Sequence, residues 1–201
     1  MANKGADFEV LGNEDVETIG KGRSHGFEFQ YQQKLMSNFY SIFSYTYFFS
    51  EFTGFDTSIY VPSVWDSRHL ISFVGGYKLK KNWEISSRYR FAGRTPYVPT
   101  NTVATLASYP EIIPDYSRLG EVKLKTFSQL DVRVDKKWNF QQLSLNIFLE
   151  VQNVLGQNIP RPPEYGLSRD TNGNLISPTS LSEITQDTST RIPSIGIVVD
   201  F

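Results

Sequence analysis

Apolar and polar residues alternate along seven separate segments of this chain, each about ten residues long. The last segment, residues 191–201, shows the pattern clearly. Its apolar residues occupy every second position: Pro193, Ile195, Ile197, Val199 and Phe201. Three of the four positions between them hold Ser194, Gly196 and Asp200. Because side chains along a strand point alternately to opposite faces, each segment is predicted to be a strand with one apolar and one mostly polar or small face.

The connections between these segments alternate between short and long. The other six segments are residues 25–35, 39–52, 69–79, 83–92, 127–138 and 143–152. Short turns at 36–38, 80–82 and 139–142 alternate with long loops at 53–68, 94–125 and 156–190. All ten prolines lie in connections or, as Pro193, at the start of a strand, where a missing N–H is tolerated. Compact soluble domains seldom carry such loops without internal structure, whereas this arrangement is typical of an antiparallel transmembrane β-barrel.

Composition agrees with a barrel better than with a membrane helix. Hydrophobic residues make up 39% of the chain and the mean hydropathy is −0.33, and no apolar run approaches the roughly 18 residues that a membrane helix needs. Aromatic residues nevertheless reach 14%. The strand pattern places ten of them near the two ends of the strands: Phe39, Tyr77, Trp83, Trp138, Phe140 and Phe201 at the short-turn end, and Tyr47, Phe49, Phe91 and Phe127 at the long-loop end. This distribution indicates aromatic girdles at two membrane interfaces, although aromatic residues also favour strands generally.

Several classes of function are disfavoured by what the sequence contains. The formal charge is −1 and no basic run stands out, so no nucleic-acid partner is predicted. There are no cysteines, which excludes disulfides and thiolate chemistry. His25 and His69 are the only histidines, and they are interpreted as interfacial or loop residues rather than ligands of haem or a metal. With no suggestive catalytic set, the chain is predicted not to be an enzyme and to bind no cofactor.

The segment Asp170-Thr171-Asn172-Gly173-Asn174 faintly resembles a calcium loop. Its glycine is at the fourth position rather than the sixth, and Leu181 occupies the twelfth position where a calcium loop has Glu. A hairpin tip at Asn172-Gly173 is the preferred interpretation, since both residues tolerate positive φ.

Two further expectations concern how the barrel would be completed. The first residues, MANKGADFEV, contain no apolar core or small-residue cleavage site, so no export signal is predicted there. Residues 1–23 are expected to form a polar segment, with a short strand near Phe8 to Leu11, and residues 24–201 to form the barrel portion. Since bacterial barrels of this kind have an even number of strands and lipid tolerates no open sheet edge, either an eighth strand lies within residues 8–20 or the chain completes a larger barrel. The second option is favoured.

Candidate functional residues fall into two groups. Charged residues on the polar face of their strands would be costly in lipid and are predicted to face the lumen: Glu28, Arg88, Arg90, Asp131, Arg133, Asp135 and Glu150. They are expected to form a wet, salt-bridged wall in preference to specific substrate contacts. Aromatic residues of the long loops are the candidate ligand contacts: Trp65, Tyr97, Tyr109, Tyr116 and Tyr165, together with Phe55 and Tyr60. These aromatics would stack on a sugar or siderophore, or pack the loops together.

A series of short motifs resembles the C-terminal part of TonB-dependent outer-membrane receptors, especially those of Bacteroidota type. The motifs are, in chain order, Gly22-Arg23-Ser24-His25-Gly26-Phe27-Glu28-Phe29, Tyr45-Thr46-Tyr47, Trp65-Asp66-Ser67-Arg68-His69, Gly93-Arg94-Thr95-Pro96-Tyr97-Val98-Pro99, Leu130-Asp131-Val132-Arg133-Val134-Asp135-Lys136-Lys137-Trp138, Val151-Gln152-Asn153-Val154-Leu155 and the terminal Phe201. Each motif is weak alone, but their order and spacing over residues 20–201 are fairly specific.

This resemblance implies a 22-stranded barrel, plugged from within, in the outer membrane of a Gram-negative bacterium. Such receptors import a nutrient (a siderophore, glycan, peptide or cofactor) with energy passed on by TonB. The implied partners are outer-membrane lipid, the remaining strands and plug on the same or another chain, TonB indirectly, and a surface lipoprotein. Phe201 resembles the family's assembly signal. The sequence shows no signal peptide, TonB-contacting segment or plug and about a third of the barrel, so a fragment of the receptor is expected.

Two alternatives remain open. The chain would otherwise be a non-transport outer-membrane subunit or adhesin that pairs with another chain. A soluble ligand-binding β-barrel of lipocalin type is the third possibility, in which the apolar parity of each strand would face inward.

Overall fold

A computed structural model describes residues 2–3, 16–54, 56–118, 120–184 and 188–201. Seven long strands dominate it, and they are numbered here in chain order. They are β1 (Gly22–Met36), β2 (Phe39–Phe52), β3 (His69–Leu79), β4 (Trp83–Ala92), β5 (Phe127–Asn139), β6 (Ser144–Gln152) and β7 (Ile192–Asp200). Each strand is antiparallel to the next one along the chain, and together they form one sheet in the order β1 to β7. The predicted all-β antiparallel fold is confirmed.

Short turns connect alternate pairs of strands at one end of the sheet. Ser37 and Asn38, with φ of 48° and 71°, connect β1 to β2. The 3-10 turn Lys80–Asn82 connects β3 to β4 and has positive φ at Lys81 and Asn82. Asparagine tolerates this left-handed conformation, and paired positive φ values match the twist of the flanking strands. The third turn is closed by a hydrogen bond from Phe140 N to Leu143 O of 2.8 Å.

The long loops at the other end contain structure of their own, which the sequence pattern does not predict. The second loop holds the helix α1 (Thr102–Ser108), the 3-10 turn Tyr116–Arg118 and the paired short strands Pro96–Tyr97 and Val122–Lys123. The third loop holds a hairpin of Glu164–Leu167 with Leu181–Ile184. In the first loop, Val61–Pro62 pairs with the end of β2. The loops are therefore compact units at one end of the sheet.

The strand register places the apolar and the polar residues of each strand on opposite faces of the sheet. On one face, Leu149 lies opposite Val134 and Ile195. Tyr45 lies opposite Phe29 and Ile71 on the same face, at the β1 side of the sheet. This apolar face is largely uncovered, with Phe27 56% and Ile195 76% exposed. An apolar surface of this extent requires an apolar environment.

Two strands form the edges of the sheet. β1 pairs only with β2, and β7 only with β6, among the described residues. Val16–Glu17 pairs with Ala2–Asn3 rather than with β1, and the predicted short strand near Phe8 to Leu11 lies outside the described residues. No helix in the described part of the chain is long and apolar enough to span a membrane.

Candidate functional site

The polar face carries a cross-strand ion pair near the long-loop end of the sheet. The β4–β5 register places Arg88 directly opposite Asp131. Nε and Nη2 of Arg88 donate to the same Asp131 oxygen, Oδ2, at 3.0 and 2.7 Å. Arg90 approaches that oxygen less closely, at 3.9 Å. Asp131 is only 4% exposed, so this carboxylate is held among its donors rather than in water.

The second oxygen of Asp131 connects the sheet to the third long loop. Oδ1 accepts from Gln129 Nε2 at 2.8 Å and from the backbone N–H of Asn153 at 2.9 Å. Asn153 has φ of 54° and follows β6 directly. Its Nδ2 donates to the carbonyls of Gln157 and Thr190, at 3.0 and 3.3 Å, and its Oδ1 accepts from Gln157 N at 3.1 Å. Asn153 therefore ties both ends of the third loop to the wall.

A second network lies nearer the short turns. Arg133 and Asp135 form two hydrogen bonds of 2.8 and 2.7 Å, and Asn146 donates to Asp135 at 2.8 Å. The Arg133 guanidinium stacks on the Phe148 ring at 3.6 Å and lies 3.9 Å from Glu150. Arg133 is thus shared by two carboxylates of the face, Asp135 and Glu150.

These contacts agree with the predicted salt-bridged wall for six of the seven lumen candidates. The members of the two networks are Arg88, Arg90, Asp131, Arg133, Asp135 and Glu150. Glu28 shares their face, opposite Thr46, but forms no ion pair within the described residues. That this face lines a lumen remains a prediction.

A cleft of about 300 Å³ lies between the polar face and the base of the third loop. Its apolar lining is Phe127, Ile159 and Ile192. Its polar lining includes Arg90, Gln129, Gln152, Gln157, Thr188 and Thr190. The alternation of the strands does not predict this cleft, because four of its lining residues, Gln157, Ile159, Thr188 and Thr190, come from the loop. Asn153 is not among the predicted site residues, although it lies within the motif Val151-Gln152-Asn153-Val154-Leu155 and directly follows a strand.

The loop aromatics do not form a single cluster. Burial raises the pKa of Tyr97, in the second loop, and the charges of Tyr165 and Glu183 in the third loop raise it further. Trp65, in the first loop, is 76% exposed. Tyr109 and Tyr116 are partly exposed in the second loop. Phe55 lies outside the described residues, and ligand contact by the others remains a prediction.

The histidines lie in an aromatic cluster on the apolar face, near the long loops. His25 stacks on Phe49 with ring centroids 4.9 Å apart, and Tyr45 Oη lies 2.9 Å from His69 Nδ1. Tyr47 packs against both Phe49 and His69. Both histidines thus lie on strands rather than in loops, and their place at a membrane interface remains a prediction. No group of three His, Cys, Asp or Glu that could hold a metal occurs in the part of the chain that the structure describes.

The Asp170 segment is a hairpin tip. Asp170 Oδ1 accepts from the backbone N–H groups of Asn172 and Asn174, at 2.9 and 2.8 Å. These hydrogen bonds lower the pKa of the Asp170 carboxyl, the bond from Asn174 most. Arg169 and Leu175 form a bridge across the tip, and Gly173 has φ of 84°. The turn interpretation is confirmed, since this carboxylate oxygen is used within the turn.

The opposite end of the apolar face carries a lysine between two tryptophans. Lys136 Nζ lies 5.4 Å from the Trp83 ring and 5.3 Å from the Trp138 ring, and it donates to the carbonyl of Lys81 in the turn. A lysine on an apolar face that reaches out past aromatic rings is typical of a membrane interface. Phe201 follows β7 and is 99% exposed. Its role in assembly remains a prediction.

An antiparallel sheet with one apolar face, aromatic residues at both ends of it and an ion-paired opposite face is typical of the wall of an outer-membrane β-barrel. Residues 5–154 match the family model described as TonB dependent receptor-like, beta-barrel. The chain belongs to this family, whose members are outer-membrane transporters of Gram-negative bacteria rather than enzymes. Family membership thus decides against the soluble barrel alternative. No curated protein matches the chain. No solved structure matches it either.

Proposed function

We propose that the chain forms part of the wall of a Bacteroidota-type receptor that imports a nutrient through the outer membrane with energy passed on by TonB. The observation that carries this proposal is the division of one family-matched sheet into an apolar and an ion-paired face. The apolar face would contact acyl chains, and the networks of Arg88 and Arg133 would face the aqueous interior.

The edge strands indicate which partners the wall needs. Unpaired N–H and C=O groups of β1 and β7 would each cost several kcal/mol in hydrocarbon. Further strands of the same or another chain would therefore continue the sheet on both sides, and a plug domain would fill the interior. A siderophore, glycan, peptide or cofactor would bind where the three long loops meet the polar face.

Nutrient uptake by living cells tests this proposal, and it is measured as the loss of each compound from the medium. The medium would contain ferric siderophores, glycans, peptides and cobalamin, and three strains would be compared: the parent, one with this gene interrupted and one without TonB. We expect at least one compound to remain in the medium of both mutants and to disappear with the parent. A second receptor that duplicates the uptake is excluded by also interrupting the matching barrel genes of the same strain. If that strain still takes up everything that the parent takes up, the proposal is contradicted.

A further inference from the structure

Among the residues that the structure describes, Arg90 is the single charged residue in the lining of the cleft at the base of the third loop. Its neighbour Asp131 is shared with Arg88, which holds the closer contacts. The two oxygens of Asp131 already accept four hydrogen bonds, two from Arg88, one from Gln129 and one from Asn153. Arg90 stays 3.9 Å from this carboxylate, beyond hydrogen-bond distance. Two arginines thus share one aspartate, and the excess positive charge lies on the guanidinium that borders the cleft.

The remaining polar lining offers both acceptors and donors. Gln129 donates one amide N–H to Asp131, and Gln152 donates one to Glu150 at 3.2 Å. Each keeps its amide oxygen as an acceptor and a second N–H as a donor. The apolar residues Phe127, Ile159 and Ile192 complete the lining, so the cleft combines one cation, uncharged hydrogen-bonding groups and an apolar wall.

We infer that this cleft binds the carboxylate of a small ligand that also carries N–H or O–H donors, with Arg90 as the residue that recognises the anion. The planar guanidinium fork matches a carboxylate in bidentate geometry. A peptide C-terminus and a sugar acid both present this chemistry. The inference rests on the proposed function, because it names the class of substrate that the wall would receive.

Two matched pairs of probes distinguish the sources. N-acetyl-alanyl-alanine is compared with its C-terminal amide, and glucuronate with glucuronamide, by saturation-transfer NMR on the full chain purified from outer membranes in mild detergent. We expect at least one acid to bind about tenfold or more tightly than its amide, as loss of a charge-assisted hydrogen bond would give. A preference in the first pair alone assigns a peptide, and in the second alone a sugar acid. Equal binding of acid and amide in both pairs, or no binding of any probe, would overturn the inference.

Two variants then test whether the preference for the acid over its amide arises in this cleft. Arg90→Gln should remove the discrimination between acid and amide, whereas Arg118→Gln should keep it, since Arg118 is an exposed arginine of the second loop paired with Glu121. A preference that survives in Arg90→Gln would overturn the assignment to this cleft. If Arg90→Gln does not fold, the comparison of acid with amide on the unaltered chain still shows whether the protein prefers a carboxylate. The nutrient-uptake experiment does not depend on how the probes bind, so either proposal can fail without the other.

Discussion

Gly93, at the start of the second long loop, packs directly against the backbone of the first because it has no side chain. It directly follows β4, and its N–H donates to the carbonyl of His69 at 2.8 Å. A Cβ atom built on Gly93 would lie 2.1 Å from the backbone oxygen of Ser67. Because this oxygen belongs to the backbone rather than to a flexible side chain, only glycine fits. The motif around Gly93 that resembles the receptors thus has a steric reason in this chain.

We expect Gly93→Ala to lower the free energy of unfolding by about 1 to 3 kcal/mol, the usual effect of forcing an atom into occupied space. Gly54→Ala is the matched control, since a Cβ there would meet nothing within 4 Å, and its effect should stay within about 0.5 kcal/mol. Urea unfolding in detergent, followed by tryptophan fluorescence, measures both. Equal effects of the two substitutions would show that the approach of Gly93 to Ser67 is not tight.

At the level of elements, alternation was enough to predict the seven long strands, because residues on one face of a strand share one environment. The boundary of β1 was missed, since Gly22, Arg23 and Ser24 do not alternate. The helix α1 has seven residues, too few to show a helical period, and an asparagine cap at Asn101 starts it. The contact of Arg88 with Asp131 depends on register, and the sequence alone does not specify which of several β5 residues lies opposite Arg88.

Neighbouring residues of β7 give a direct test of the two faces. Ile195 lies on the apolar face opposite Leu149, and Ser194 lies on the polar face opposite Glu150. Ile195→Arg should destabilise the protein in phospholipid vesicles by about 2 to 4 kcal/mol, the cost of a cation near the middle of a bilayer. Ser194→Arg should change stability little, because the new cation would face Glu150. Unfolding from vesicles in guanidinium measures both, and a larger loss for Ser194→Arg would reverse the assignment of the faces.

At the scale of the whole molecule, the first and second long loops contact each other beyond the ends of the strands. A Cβ on Gly120 in the second loop would lie 2.9 Å from Pro62 Cδ in the first. The charges of Tyr165 and Glu183, in the third loop, raise the pKa of Tyr97 in the second. The second and third loops are therefore within electrostatic range of each other.

Ionisation of Tyr97 is expected to loosen the packing of the second loop. Burial raises the pKa of Tyr97 above its usual 10.0, so the packed state keeps a proton that the opened state releases. The contribution of Tyr97 to loop packing is thus fully present below pH 10.0 and is lost as the pH rises through the raised pKa. We expect subtilisin to cut the second and third loops faster as the pH rises from about 9 to about 12.

Tyr97→Phe has no phenol to ionise and should remove this dependence, leaving only the pH dependence of the protease itself, which an unfolded substrate calibrates. Tyr109→Phe, on a partly exposed tyrosine of the same loop, should behave like the unaltered chain. A dependence that persists in Tyr97→Phe would mean that another group controls the loops. A dependence lost only in Tyr97→Phe would mean that ionisation of Tyr97 loosens the packing of the loops.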